Sequence, residues 1–260
     1  MSRRWEPIAA RTAAHRVLAE RGGLGVAAGF YLVVVAVLAG LWRVAAHANG
    51  GSIAGYSAVA LTWYIATSES VTVALNIRLI SDVGEDIKSG AVAVELLRPA
   101  SVLGVRVVSE IGRAVPRLAT LLLAGSALCF VTAGAPPRPA ALLLVPISVV
   151  LAIACNVVAQ HAFAAAAFWV RDAGAAWFLY QKLVFVLGGM LIPLEVLPSW
   201  LQTVTRVLPF RAMSYAPARL ASGHLEPGLL VEQAAWLVVL SVVANVVFTA
   251  GERRLQVVGG

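Results

Sequence analysis

The chain has 260 residues, 60% of them hydrophobic and only 13% charged, with a mean hydropathy of +0.85. That composition excludes an ordinary water-soluble domain, which would have nowhere to hide so much apolar surface. The net charge of +7 and the pI near 10.1 are explained below by topology and contact with anionic lipid, without any nucleic acid partner.

Residues 1–23 place Arg4, Arg11 and His15 on one helical stripe, with mainly alanine and valine opposite, which predicts a cytoplasmic interfacial helix. Crossing a bilayer as a helix takes roughly 20 predominantly apolar residues, since hydrocarbon offers backbone groups no water. Six stretches qualify, at about 24–43, 53–77, 114–133, 140–170, 173–194 and 228–250. The first is longer than a signal-peptide core and lacks a small-residue cleavage pattern behind it, so the chain is expected to keep it. It opens with Gly25 and Gly29, a spacing that permits close helix approach, as in a dimer contact.

Between the second and third spans lies a polar island, residues 78–106. Ser81 or Asp82 can accept from the amides of a helix start, Glu85 and Asp86 suit its first-turn dipole, and Gly90 can end it. A second short helix runs from Ala91 until Pro99 forbids continuation. Arg106, Glu110, Arg113 and Arg117 then share one face of a helix that leads into the third span. Ala135-Pro-Pro-Arg-Pro139 is a tight turn, Arg171-Asp172 another, and the fifth span ends at Gly188-Gly189 and Pro193.

Residues 195–224 predict an outer re-entrant hairpin. Leu197, Trp200, Leu201, Val204, Val207 and Leu208 fall at helical spacing opposite Gln202 and Arg206; Pro209 stops that helix, and a second runs towards Gly223. The tail, 251–260, carries Arg253 and Arg254. Of the twenty Lys and Arg, fifteen fall on the side of the island and both termini, so the positive-inside rule makes that side cytoplasmic. Eighteen of the twenty are arginine, a bias of GC-rich bacterial genomes.

The chain has no phosphate loop, no dinucleotide fingerprint and no G-x-S-x-G. His15, His47, His161 and His224 are scattered without metal-ligand spacing, and Cys129 and Cys155 read as small buried hydrophobes. Neither a cofactor nor a metal is expected in this chain, nor is it expected to be an enzyme. The intramembrane polar groups are Glu69, which lines a pathway or is held as a structural pair or protonated acid, and Asn156, Gln160 and His161, which line the pathway or bond between helices. Lys182 is close enough to the cytoplasmic face to snorkel, and Glu195 and Glu232 carry little signal.

The segment "DIKSGAVAVELLRP" at Asp86–Pro99, and Pro193-Leu-Glu-Val-Leu-Pro-Ser-Trp200 followed by Pro209, Pro217 and Gly223, together with the order of elements, resemble the membrane subunit of type-2 ATP-binding-cassette exporters. The resemblance covers nearly the whole chain. It implies an all-α polytopic membrane protein of six spans, with the island as a coupling helix docked on a separate ATPase, and Asp82, Glu85, Asp86, Lys88, Glu95 and Arg98 at that contact. It implies two such ATPase subunits carrying ATP and Mg, and a second permease chain, identical or different, in the bacterial cytoplasmic membrane. Trp200 and Phe210 become candidate plugs of an extracellular gate, their other reading being interfacial anchoring. An amphiphilic cargo, whether drug, lipid or peptide, suits the alanine- and valine-rich helices. A lipid-modifying enzyme built on Glu69 or His161 is the competing reading, but it lacks a second acid or nucleophile. An ion-coupled secondary transporter would call for paired intramembrane charges and inverted repeats.

Overall fold

The computed structural model describes residues 5–19, 21–96, 101–170 and 173–258. Helix α1 (Trp5–Ala19) leads into α2 (Arg21–Ala48), followed by a two-residue antiparallel pair, β1 (Ser52–Ile53) and β2 (Tyr56–Ser57). Next come α3 (Ala58–Ala74), the short α4 (Leu79–Lys88) and α5 (Ala91–Leu96), and the long α6 (Val102–Thr132). A 3-10 turn at Pro139–Leu143 precedes α7 (Val145–Ala164), which runs on as a 3-10 turn to Phe168. α8 (Ala173–Leu187), α9 (Ser199–Arg206), α10 (Phe210–Met213), α11 (Tyr215–Ala221) and α12 (Gly228–Val258) complete the described residues.

Among the described residues, five stretches are long and apolar enough to cross a membrane: Gly22–Ala48, Ala58–Lys88, Val102–Thr132, Val145–Phe168 and Gly228–Arg254. The molecule is thus a multi-pass helical membrane protein. The sixth expected span differs, because α8 holds 15 residues, a rise of about 22 Å against a hydrocarbon core of about 30 Å. It stops where Gly189 turns left-handed at φ +63°, and that turn is held by α3: Tyr64 donates to the Gly189 carbonyl, and Ser68 to the Met190 carbonyl at 2.7 Å. The second span also starts later than its apolar run. Residues 53–57 form the small β-hairpin, and Ser57 caps α3 by accepting from the Ala60 amide at 3.2 Å.

α3 and α7 are mostly buried and form the centre, while α2 and α12 expose most of their residues and α6 is mostly half-buried. α3 packs on α2 and α6, and α7 packs on α12. The exposed stripe of α2 runs through Val26, Phe30, Val33, Val37, Leu41 and Val44, stepping three or four residues as one helical face does. Apolar stripes left outside in this way meet hydrocarbon or another chain without cost, whereas in water they would cause aggregation. Gly25 and Gly29 have open space where a side chain would project. α1 lies along α6 with Ala13 and Val17 buried. Gly112 makes that approach possible, because a Cβ there would sit 2.8 Å from the Ala10 Cα.

Candidate functional site

The polar island folds as two short helices, but its start differs from expectation. The Asn76 side chain accepts from the Arg78 amide at 3.0 Å and the Asn76 carbonyl accepts from Leu79, so the turn closes early. Ser81 and Asp82 consequently lie inside the first turn of α4, with no side-chain cap. Gly90 ends the helix in a left-handed conformation at φ +77°, as its position predicts. One face of α4, formed by Leu79, Ile80, Val83, Gly84 and Ile87, is buried against α7 and α8, and it leaves Asp82, Glu85 and Lys88 exposed.

The six predicted contact residues therefore divide. Arg106, at the start of α6 and 14% exposed, donates to both Glu95 carboxylate oxygens at 2.8 and 2.9 Å and pairs with Asp86 at 2.8 Å. Asp86 and Glu95 thus fasten the island to α6, a bidentate arrangement suited to guanidinium. Asp82, Glu85 and Lys88 remain on the surface, Asp82 in an exposed pair with Arg78 at 3.5 Å. Arg98 lies outside the described residues.

Behind the clamp opens a cavity of about 740 Å³ between α1, α4, α5, α6 and α7. Glu110 and Arg113 pair along its α6 wall, and His161 reaches it from α7.

The intramembrane polar residues do not form one group. Glu69 is buried at 5% exposure, with no hydrogen bond or ion pair to it among the described residues. Asn156 bonds between helices: its amide donates to the Met213 carbonyl at 3.2 Å, and its oxygen accepts from Tyr180 at 2.9 Å. Gln160 and Asn156 border a second cavity of about 150 Å³, with Gln181 and Trp177 across it. His161 faces the large cavity instead, so the stripe read from the sequence splits between two spaces.

At the opposite end of the helices, the segment 195–224 folds as α9, α10 and α11. Its apolar stripe is covered only in part: Leu197, Leu201 and Leu208 pack against the core, whereas Trp200 is 66% exposed and Val204 and Val207 are exposed with it. Phe210, by contrast, is 6% exposed and packs edge-on to Tyr180 at 6.5 Å. The two proposed plugs are therefore in different surroundings, and only Trp200 is free at the surface.

What holds the hairpin is a network that sequence spacing did not reveal. Arg219 pairs with Glu195 at 3.0 Å and Glu226 at 2.9 Å and donates to the Tyr56 hydroxyl at 2.5 Å. Glu195 also accepts from Tyr215 at 2.5 Å and from Tyr56 at 3.1 Å. Burial pushes the Tyr215 phenol up, with Tyr56 and Glu195 adding to it. Burial alone would lower Arg219, but Tyr215, Tyr56 and Glu195 outweigh it and hold the guanidinium charged. His224, its ring tilted against Tyr56 at 4.9 Å between centroids, is lowered by burial and then by Arg219. Glu195 is thus central to the hairpin. Glu232, the other acid that carried little signal, pairs with Arg211 at 3.5 Å. The available signal was a lone acid, Glu195, in an apolar segment with three arginines, a carboxylate that must find a partner when buried.

The helical island thus lies at one end and the ion-paired hairpin at the other, with long apolar helices between them. Among the described residues, no cluster of His, Cys, Asp and Glu could hold a metal. No curated protein and no solved structure matches the chain. A family model described as ABC-2 family transporter protein matches residues 32–259, from within α2 to the end of α12. With the match covering most of its length, the chain belongs to the ABC-2 transporter family, as a membrane component of the permease type.

Proposed function

We propose that this chain is the permease subunit of an ATP-driven exporter that moves an amphiphilic substrate, such as a drug, lipid or peptide, across a bacterial cytoplasmic membrane. Family membership implies pairing with an ATP-binding-cassette ATPase. ATP and Mg would bind on two such partner subunits, and a second permease chain, identical or different, would complete the pathway. Both termini and the island are cytoplasmic in this reading, and α9–α11 form the outer re-entrant hairpin. α8 and the residues after it make the sixth crossing, with their irregular backbone covered by α3.

The observation that carries the proposal is the Arg106 clamp. A docking element transmits force only if it does not swivel, and three charge-assisted contacts fix α4 and α5 to the start of a 31-residue helix. Asp82, Glu85 and Lys88 are the surface the ATPase would grip, Asp86 and Glu95 support it through Arg106, and Arg98 is assigned to the same contact by its place in the sequence. Dimerisation of ATP-loaded ATPases would then pull α6 through the island. The access equilibrium shifts by the ATPase's differential affinity for the two membrane conformations. Glu69, Asn156 and Gln160 are assigned to the pathway and Trp200 and Phe210 to the outer gate, Phe210 as its packed base and Trp200 as its exposed tip.

The test is Glu85→Arg with Lys88→Glu in cells expressing the cognate ATPase. Normal membrane insertion with transport lost is expected, and unaltered transport would refute the coupling role. Glu69→Gln at matched expression is expected to alter export; wild-type efflux would remove it from the pathway.

A further inference from the structure

His161 is 1% exposed, yet only one of its ring nitrogens is satisfied. Nδ1 lies 2.8 Å from the Val157 carbonyl. A carbonyl only accepts, so Nδ1 carries the proton and the other nitrogen, Nε2, is an acceptor in the neutral ring. Nε2 has no hydrogen-bond partner among the described residues, and His161 lines the 740 Å³ cavity. Native proteins rarely leave such an atom unsatisfied, because a buried unpaired polar group costs about 1–3 kcal/mol.

The rest of the lining defines what would satisfy it. Asp82, Asp86, Glu95 and Glu110 contribute four negative charges; Arg78 offsets Asp82, Arg113 offsets Glu110 and Arg106 is shared by Asp86 and Glu95, which leaves an excess of one negative charge at that shared pair. Arg106 is spent on two carboxylates and Arg113 on one, so among the described lining residues no free guanidinium awaits an anion. Ile8, Leu79, Val83, Val102 and Val105 supply apolar walls, and the volume is that of a drug-sized ligand site.

We propose that this cavity binds the ammonium end of an amphiphilic primary amine, its N–H donating to His161 Nε2 and its alkyl part lying on the apolar walls. Acidic walls attract the cation, and the acceptor selects an amine that keeps N–H groups over a quaternary ammonium. Two sources carry this chemistry: a free alkylamine and the amino headgroup of a phospholipid. The site differs from the pathway residues assigned above, since Asn156 and Gln160 face the other cavity.

Binding to the purified full-length chain is measured without the ATPase, so loss of the site and loss of coupling are separate results. The probes are octylamine, octyltrimethylammonium and octanoate in phosphatidylcholine nanodiscs. Octylamine is expected to bind best and octanoate worst, and His161→Leu should weaken octylamine about tenfold while leaving octyltrimethylammonium unchanged. Octanoate binding as well as octylamine, or unchanged octylamine affinity in His161→Leu, overturns the proposal. If His161→Leu does not yield folded protein, Val105→Trp decides: lost octylamine binding supports the site, and undiminished binding overturns it. Adding phosphatidylethanolamine to the nanodiscs assigns the source, the lipid headgroup if octylamine is displaced and a free amine if it is not.

Discussion

Replacing Arg106 by methionine keeps the buried aliphatic stem but removes the charge that joins α4, α5 and α6. Hydrogen bonds between charged groups contribute about 1.5–3 kcal/mol each when shielded from solvent. Arg106 makes three such contacts, but its acids are 44% (Asp86) and 33% (Glu95) exposed, so water and salt screen part of each. About 2–3 kcal/mol then remains for the clamp as a whole, or roughly 30- to 150-fold in the equilibrium for opening the island. The substitution also leaves two carboxylates facing one another without their cation. Hydrogen exchange of the purified protein reads this directly: amides of residues 79–96 should exchange faster by that factor, with α3 and α7 unaffected. Arg106→Lys should fall between, since an ammonium cannot make the bidentate contact with Glu95. Wild-type protection of 79–96 in Arg106→Met would refute the clamp.

Three further outcomes follow from the geometry. Gly112→Leu, whose Cβ would meet the Ala10 backbone, should cost about 1–3 kcal/mol and lower the melting temperature, whereas Gly29→Leu should melt as wild type in the isolated chain; equal melting would contradict the α1–α6 packing. His224 binds fewer protons folded than unfolded because its pKa is lowered, so hairpin stability should fall as pH drops below about 6.5; His224→Gln should flatten the melting profile between pH 7.5 and 5, and an unchanged slope would refute the assignment. Cysteine at position 200 should react with a membrane-impermeant maleimide from outside only and cysteine at position 88 only after permeabilisation, the reverse pattern inverting the topology.

The long helices were legible because hydrocarbon imposes one rule on every residue of a span, and Gly90 because few other residues tolerate its φ. Departures came where a single distant partner decides the outcome. Asp86 and Glu95 look like a solvated face in sequence, and only the return of α6 brings Arg106 between them. Glu195 meets Arg219 across 24 positions and Tyr56 across 139, separations that no local pattern encodes. Residues 53–57 are apolar enough to extend a span, yet Gly50, Gly51 and Gly55 at positive φ turn them into a hairpin. The hairpin stripe around Trp200 obeys helical period, but periodicity identifies an apolar face without saying whether protein, lipid or a second chain covers it.

The central claim is that the exposed edge of α4 is held by a nucleotide-hydrolysing partner. A photo-crosslinking amino acid placed at Glu85 in native membranes, followed by mass spectrometry of the adducts, tests it most directly. An ATP-binding-cassette ATPase as the main adduct is the predicted result, and one lost when Lys88 is also reversed to glutamate. Adducts to lipid alone, with that ATPase expressed in the same membranes, would contradict the account.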